Sequence, residues 1–262
     1  MTSTDTQELV HLEIADGIAT ITLDSPHNRN ALSTQLRGEL LDHLATAIAD
    51  PAARVIVLTH TGRVFCAGAD LKESRGASAQ SQGVNEVPAI FERIWTSPTP
   101  VVARLAGPVR AGGTGLAASC DIVVASEDVN FAFSEVRIGV IPAVISVPLV
   151  PKLDPTALHE LCLTGETFDA HRAARIGMVN SVVPADGLDA EVRRYTDMLR
   201  LGAPGALAGT KELLRRTVTA TMTDDLARLS EFSAAVFASE EGQEGIRAFG
   251  EKRPPAWVSG PA

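Results

Sequence analysis

Gly62-Arg-Val-Phe-Cys-Ala-Gly-Ala-Asp-Leu-Lys72 sets small residues where backbone must come close to something else. Ala111-Gly112-Gly113 does the same further along, and a lone carboxylate, Glu135, follows in Phe131-Ala-Phe-Ser-Glu-Val-Arg-Ile-Gly-Val-Ile-Pro142. Turns built from small residues leave N–H groups unpaired, and two of them aimed at one spot make an oxyanion hole. The third piece adds a titratable group. Together they predict a centre that polarises a carbonyl and moves a proton beside it.

Around these segments the pattern is α/β. Val10 to Leu23 alternates apolar and polar about Asp16-Gly17, which predicts a β-hairpin. Ser33 is placed to cap a helix running to about Asp50, with Leu36, Leu40, Leu41 and Leu44 on one face. Strands are predicted at Arg54–Thr59, Pro100–Leu105, Asp121–Ala125 and Val129–Ala132, and helices at Asn85–Trp95 and Gly115–Ser119. The Ser/Gly/Gln-rich stretch Ser74–Gly83 reads as a loop. Strand, loop and helix thus recur in a ββα rhythm. From Thr156 onward the chain reads as helix over 156–163, 170–176, 188–200, 206–220 and 224–238, interrupted by Met178–Val183. No Pro/Gly linker separates the halves, so one α/β core over residues 1–200 with a helical section over 201–262 is expected.

Bulk properties narrow the function. A formal charge of −9 over 262 residues argues against a general nucleic-acid binder, which needs basic surface. No run approaches the roughly eighteen apolar residues of a membrane span, and the first residues carry neither a basic nor an apolar leader segment. Three widely spaced cysteines and six scattered histidines show no metal-ligand spacing. Reduced thiols, a cytoplasmic location and no metal are the expectation.

The motifs resemble those of the crotonase family, the enoyl-CoA hydratase/isomerase superfamily. The likeness runs from Pro26-His-Asn-Arg-Asn-Ala-Leu32 through both small-residue segments and Leu163-Thr-Gly-Glu-Thr-Phe-Asp-Ala170 to Arg175-Ile-Gly-Met-Val-Asn180 and Phe249-Gly-Glu-Lys-Arg253. It implies a spiral of ββα units with a helical C-terminal trimerisation region, a homotrimer or hexamer, and a role in fatty acid metabolism. It also implies an acyl thioester of coenzyme A as substrate, with no separate cofactor. In that pattern the N–H groups of Ala69 and Gly112 hold the thioester oxygen, and Glu135 carries a proton to or from the acyl chain. Losing one such donor typically costs about 3 kcal/mol. Substrate contacts are implied at Arg29, Ala67, Asp70, Leu71, Lys72, Phe249 and Lys252, the last two reaching a neighbouring subunit's adenine site. Asp70 is also expected to hold the loop through backbone N–H groups.

Two departures bear on the reaction. Hydratases of the family carry a second glutamate three residues past the middle glycine, where this chain has Gly115. A general acid or base contributes on the order of 10²–10⁴-fold, so a hydratase lacking it would need Thr114 or Ser134 to position water. Hydration of a 2-enoyl-CoA is the first expectation, from the overall pattern. The alternatives are isomerisation of a 3-enoyl to a 2-enoyl thioester, which needs one base, or a non-catalytic acyl-CoA-binding relative. The other departure is Ala143-Val-Ile-Ser-Val-Pro148, which replaces a glycine-rich stretch and reads equally as a reshaped pocket wall or as altered helix packing.

Overall fold

A computed structural model describes residues 7–70, 73, 86–215 and 239–258, apart from the side chains of residues 249 and 250. The hairpin is β1 (Val10–Ala15) and β2 (Ile18–Leu23), paired antiparallel, with Asp16 and Gly17 both at positive φ in the turn. Three parallel strands extend it: β3 (Val55–His60), β4 (Val101–Leu105) and β6 (Ile122–Ser126). A last parallel strand, β9 (Ser181–Val183), gives the order β1-β2-β3-β4-β6-β9. A second sheet has the order β5-β7-β8, from β5 (Val109–Arg110), β7 (Asn130–Ala132) and β8 (Phe168–Asp169).

The two sheets make the spiral visible. β4 enters the large sheet, β5 the small one, and a helix follows; β6 and β7 repeat the step. β3 begins the same step, because Cys66 just after it bridges Val109 of β5. Helices α1 (Thr34–Ala49), α2 (Glu86–Thr96), α3 (Gly112–Ser119) and α4 (Ala143–Leu149) pack against the main core with α5 (Pro155–Thr164) and α6 (Ala170–Arg175). α7 (Leu188–Leu201) covers the opposite face of the large sheet. The apolar run of β3 follows from this sandwiching: Ile56 and Leu58 enter one core, Val55 and Val57 the other. α8 (Pro204–Arg215) and α9 (Glu240–Glu251) complete the described helices.

Ser33 caps α1 as expected, its Oγ accepting from the Leu36 N–H at 3.4 Å. The apolar face differs in one position: Leu41 is only partly buried, while Arg37 is buried. Its Nε meets Glu86 at 2.6 Å and its Nη1 the Leu32 carbonyl at 2.5 Å, so the guanidinium ties α1 to α2 and to the chain before it. α3 begins at Gly112, three residues earlier than its composition indicated. The predicted loop Ser74–Gly83 and helix Asp224–Ala238 lie outside the described residues, as does the predicted extension of α8 beyond 215.

Candidate active site

One rung of strand pairing sets out the site. Val109 of β5 bridges Cys66 on one side and pairs with Phe131 of β7 on the other. Three residues past Cys66 comes Ala69; three past Val109 comes Gly112; four past Phe131 comes Glu135. Three consecutive turns of the spiral therefore each deliver one component to the same end of the small sheet.

The first two components touch through Gly68 and Ala111. Gly68 has φ +89°, and a Cβ there would stand 2.9 Å from the Ala111 Cβ and 3.1 Å from the Gly112 nitrogen. Only glycine meets both demands. Ala111 itself holds φ 45° and ψ −121° at the N-cap of α3. Such a conformation costs a non-glycine residue on the order of 1–3 kcal/mol, and here it swings the chain directly into the helix. The flanking amides are spent: Ala67 N–H donates to the Arg29 carbonyl, Arg110 to Cys66, Ala111 to Ala132 and Thr114 to Ala111. Among the described residues the N–H groups of Ala69 and Gly112 donate to no backbone carbonyl. Gly112 is the first residue of α3, where an N–H has no partner within the helix and the helix dipole favours negative charge. Ala69 is exposed and Gly112 half-buried, so both can be reached from outside.

Glu135 opens a single 3-10 turn, Glu135–Ile138. The residue is 9% exposed, and among the described residues its Oε2 is buried and meets no hydrogen-bond partner. Burial pushes the carboxyl above the usual carboxylate range, while its own backbone N–H pulls the other way. Of the apolar residues beside it in sequence, Phe133 is fully buried and Val136 partly so, whereas Ile138 is 58% exposed. Cys162 on α5 feels the same surroundings: burial first, then the Glu135 charge, push its thiol up.

Gly115 lies on α3 three residues past Gly112, nearly the same helix face. A Cβ built there would stand 2.5 Å from the Phe91 ring of α2 and 2.9 Å from an Ile145 methyl of α4. The position is therefore closed by apolar side chains as well as lacking one of its own. Ala143–Leu149 proves to be a helix, and Ile145 packs it onto α3. Of the two hydroxyls considered for holding water, Thr114 is fully buried and donates to the Ala111 carbonyl at 2.6 Å. Ser134 is half-buried and does not cap the turn that follows it.

A buried asparagine supports the first segment. Asn30, at φ 52°, accepts from the Ser25 N–H and donates to the carbonyls of Thr61 and Val64. Asp70 accepts a hydrogen bond from the Asn28 side-chain amide at 3.1 Å. Arg29 is exposed beside the Ala67 turn it holds by its carbonyl. Lys252 follows α9, five residues before Trp257, whose ring lies against Gly245 of α9. The Trp257 carbonyl accepts from Arg54, just before β3, whereas the Ala67–Ala69 turn leaves the other end of that six-residue strand, roughly 17 Å away. Within one chain Lys252 thus belongs to the far end of the sheet. Leu71, Lys72 and the Phe249 side chain lie outside the described residues. The pattern of residue types did not reveal Phe91, Ile145 or the Asn30 anchor. Only the bulky Ala143–Pro148 segment hinted that the wall near Gly115 was unusual.

Comparison with known proteins agrees with the geometry. A family model described as enoyl-CoA hydratase/isomerase matches residues 13–260. The carnitinyl-CoA dehydratase of Proteus mirabilis is 31% identical over 256 residues, covering 95% of this chain and 97% of that protein. A crystal structure of an enoyl-CoA hydratase from Mycobacterium avium is 43% identical, with a TM-score of 0.74 over 97% of this chain and 100% of that one. An enoyl-CoA hydratase from Mycobacterium smegmatis superposes at a TM-score of 0.89 with 31% identity, over 96% of this chain and 99% of that one. The family model over residues 13–260, together with relatives and solved structures matched along nearly the whole chain, makes this chain a member of the enoyl-CoA hydratase/isomerase family.

Proposed function

We propose that the protein is a one-base acyl-CoA isomerase, converting a 3-enoyl to a 2-enoyl thioester, with Ala69 and Gly112 as oxyanion donors. The Glu135 carboxylate removes a proton from C2 of the acyl chain. The electron pair moves through the carbonyl to give a dienolate whose oxygen lies between the two N–H groups. The same carboxylic acid then returns the proton at C4, and the double bond comes to rest between C2 and C3. No cofactor takes part, because the thioester itself activates C2. A raised carboxyl pKa suits both halves, bringing base and conjugate acid closer in strength to the groups they serve.

The observation that carries this reading is Gly115 itself, which has no carboxylate and whose Cβ position is crowded by Phe91 and Ile145. Hydration of a 2-enoyl-CoA is the second reading, favoured by the names of the relatives. Purified protein should be incubated separately with a 3-enoyl-CoA and a 2-enoyl-CoA, and the products separated against isomer standards with mass detection. Conversion of the 3-enoyl substrate without gain of water supports isomerisation. Rapid gain of one water by the 2-enoyl substrate overturns it in favour of hydration. Unchanged activity in Glu135→Ala would remove Glu135 from the chemistry under either reading.

A further inference from the structure

We infer that Phe91 is the specificity-determining residue of this site, its ring keeping water from the acyl carbons and confining Glu135 to proton transfer. The inference rests on the one-base reading and says what enforces it. Gly112 and Gly115 share a face of α3, so what fills the space over Gly115 borders the position where the thioester oxygen is held. Over Gly115 stand the Phe91 ring and an Ile145 methyl, from two different helices. Phe91 is 5% exposed and Ile145 3%, and both belong to the main core, so moving either aside disturbs packed neighbours. On the other side of Gly112, Leu32 Cδ1 would stand 3.1 Å from a Cβ added there. The wall beside the donors is therefore apolar on both flanks. Ser119 and Thr114, the hydroxyl residues of α3, turn back to carbonyls of Gly115 and Ala111.

Addition of water would bond its oxygen to C3 and place a proton on C2, and the water must be held by a polar group while Glu135 handles the proton. Phe91 occupies the place from which such a group could act. Truncating it opens that space, and a carboxylate set at position 115 would then fit where the ring had been.

Two readouts test this in the full chain. In D₂O, the fraction of isomerised product carrying solvent deuterium at C4 reports whether water reaches the carboxyl between removal and return of the proton. We expect that fraction to be low in the wild type and to rise in Phe91→Leu and further in Phe91→Ala. The second readout is hydration of a 2-enoyl-CoA: the double variant Phe91→Ala/Gly115→Glu should exceed Phe91→Ala by roughly 10²-fold. Gly115→Glu alone, having no room, should gain nothing. Thermal melts identify folded variants, and if Phe91→Ala does not fold, Phe91→Leu decides by its deuterium fraction. Folded Phe91 variants with wild-type deuterium fraction and hydration rate would overturn the inference. The wild-type product separately tests the one-base reading: isomerisation with unresponsive Phe91 variants leaves that reading standing and removes Phe91. A hydration gain in the double variant with no wild-type isomerisation does the reverse.

Discussion

Glu135 is held by the fold in a form that works against folding. A carboxyl whose folded pKa is raised contributes stability in full below its ordinary value near 4.5, and loses it as pH rises through the raised value. At pH 8 the buried carboxylate, whose Oε2 meets no partner among the described residues, is therefore a strain on the native state. Glu135→Gln should lower turnover by about 10²–10⁴-fold, yet melt no lower than wild type at pH 8. The advantage should shrink toward pH 4.5 in melts followed by circular dichroism. Wild-type turnover should fall as acid protonates the same group, with a midpoint above that of a free glutamate. Gly68 supports the opposite kind of prediction. Gly68→Ala would set a Cβ against Ala111 and the Gly112 nitrogen at φ +89°. The conformation alone costs roughly 1–2 kcal/mol. Spreading the two donor segments should remove on the order of 3 kcal/mol of oxyanion stabilisation, read as a fall in kcat larger than any change in KM.

Among elements, the hairpin, α1 and the core strands were legible because short-range chemistry dictates them: a turn at Asp16-Gly17, a serine cap, β-branched runs. α4 was not. Ala143–Leu149 has Pro148 within it and three β-branched residues, a composition that argues against helix, and its packing on α3 outweighs those preferences. The buried Arg37 escaped notice for a related reason, since its partners Glu86 and Leu32 lie on other elements. The C-terminal segment depends on one such long-range tie. Arg54 donates to the Trp257 carbonyl at 2.7 Å and to Gly202 at 2.8 Å, and the Trp257 indole donates to Leu201. Arg54→Ala should cost about 1–3 kcal/mol and expose α9 to limited proteolysis sooner than wild type, with fragments mapped by mass spectrometry. Equal cleavage rates would mean that Arg54 does not anchor the segment.

At the level of the whole molecule, the described surface carries large apolar side chains in the open, among them Leu201 at 61% and Leu214 at 81% exposed, in the region expected to assemble. Isolated apolar residues are ordinary on a monomer, but these fall in the C-terminal section where the motif resemblance implies a trimer or hexamer. Sedimentation equilibrium should return three or six times the 27.6 kDa chain; the single-chain mass would refute assembly. The sequence motifs singled out the proposed donor positions and the carboxylate, because each occupies a short local pattern. They could not carry the apolar wall, which needs α2, α3 and α4 brought together from distant stretches of chain. The rung through Cys66, Val109 and Phe131 has a further consequence. Ala69, Gly112 and Glu135 are all measured from the same ladder of backbone bonds, so their mutual spacing inherits the rigidity of a sheet. Amide hydrogens at Phe65, Arg110 and Ala111, which donate within or beside that ladder, should exchange with solvent only through large-scale opening of the molecule. The proposed centre would then lose its geometry in the same event that unfolds the spiral.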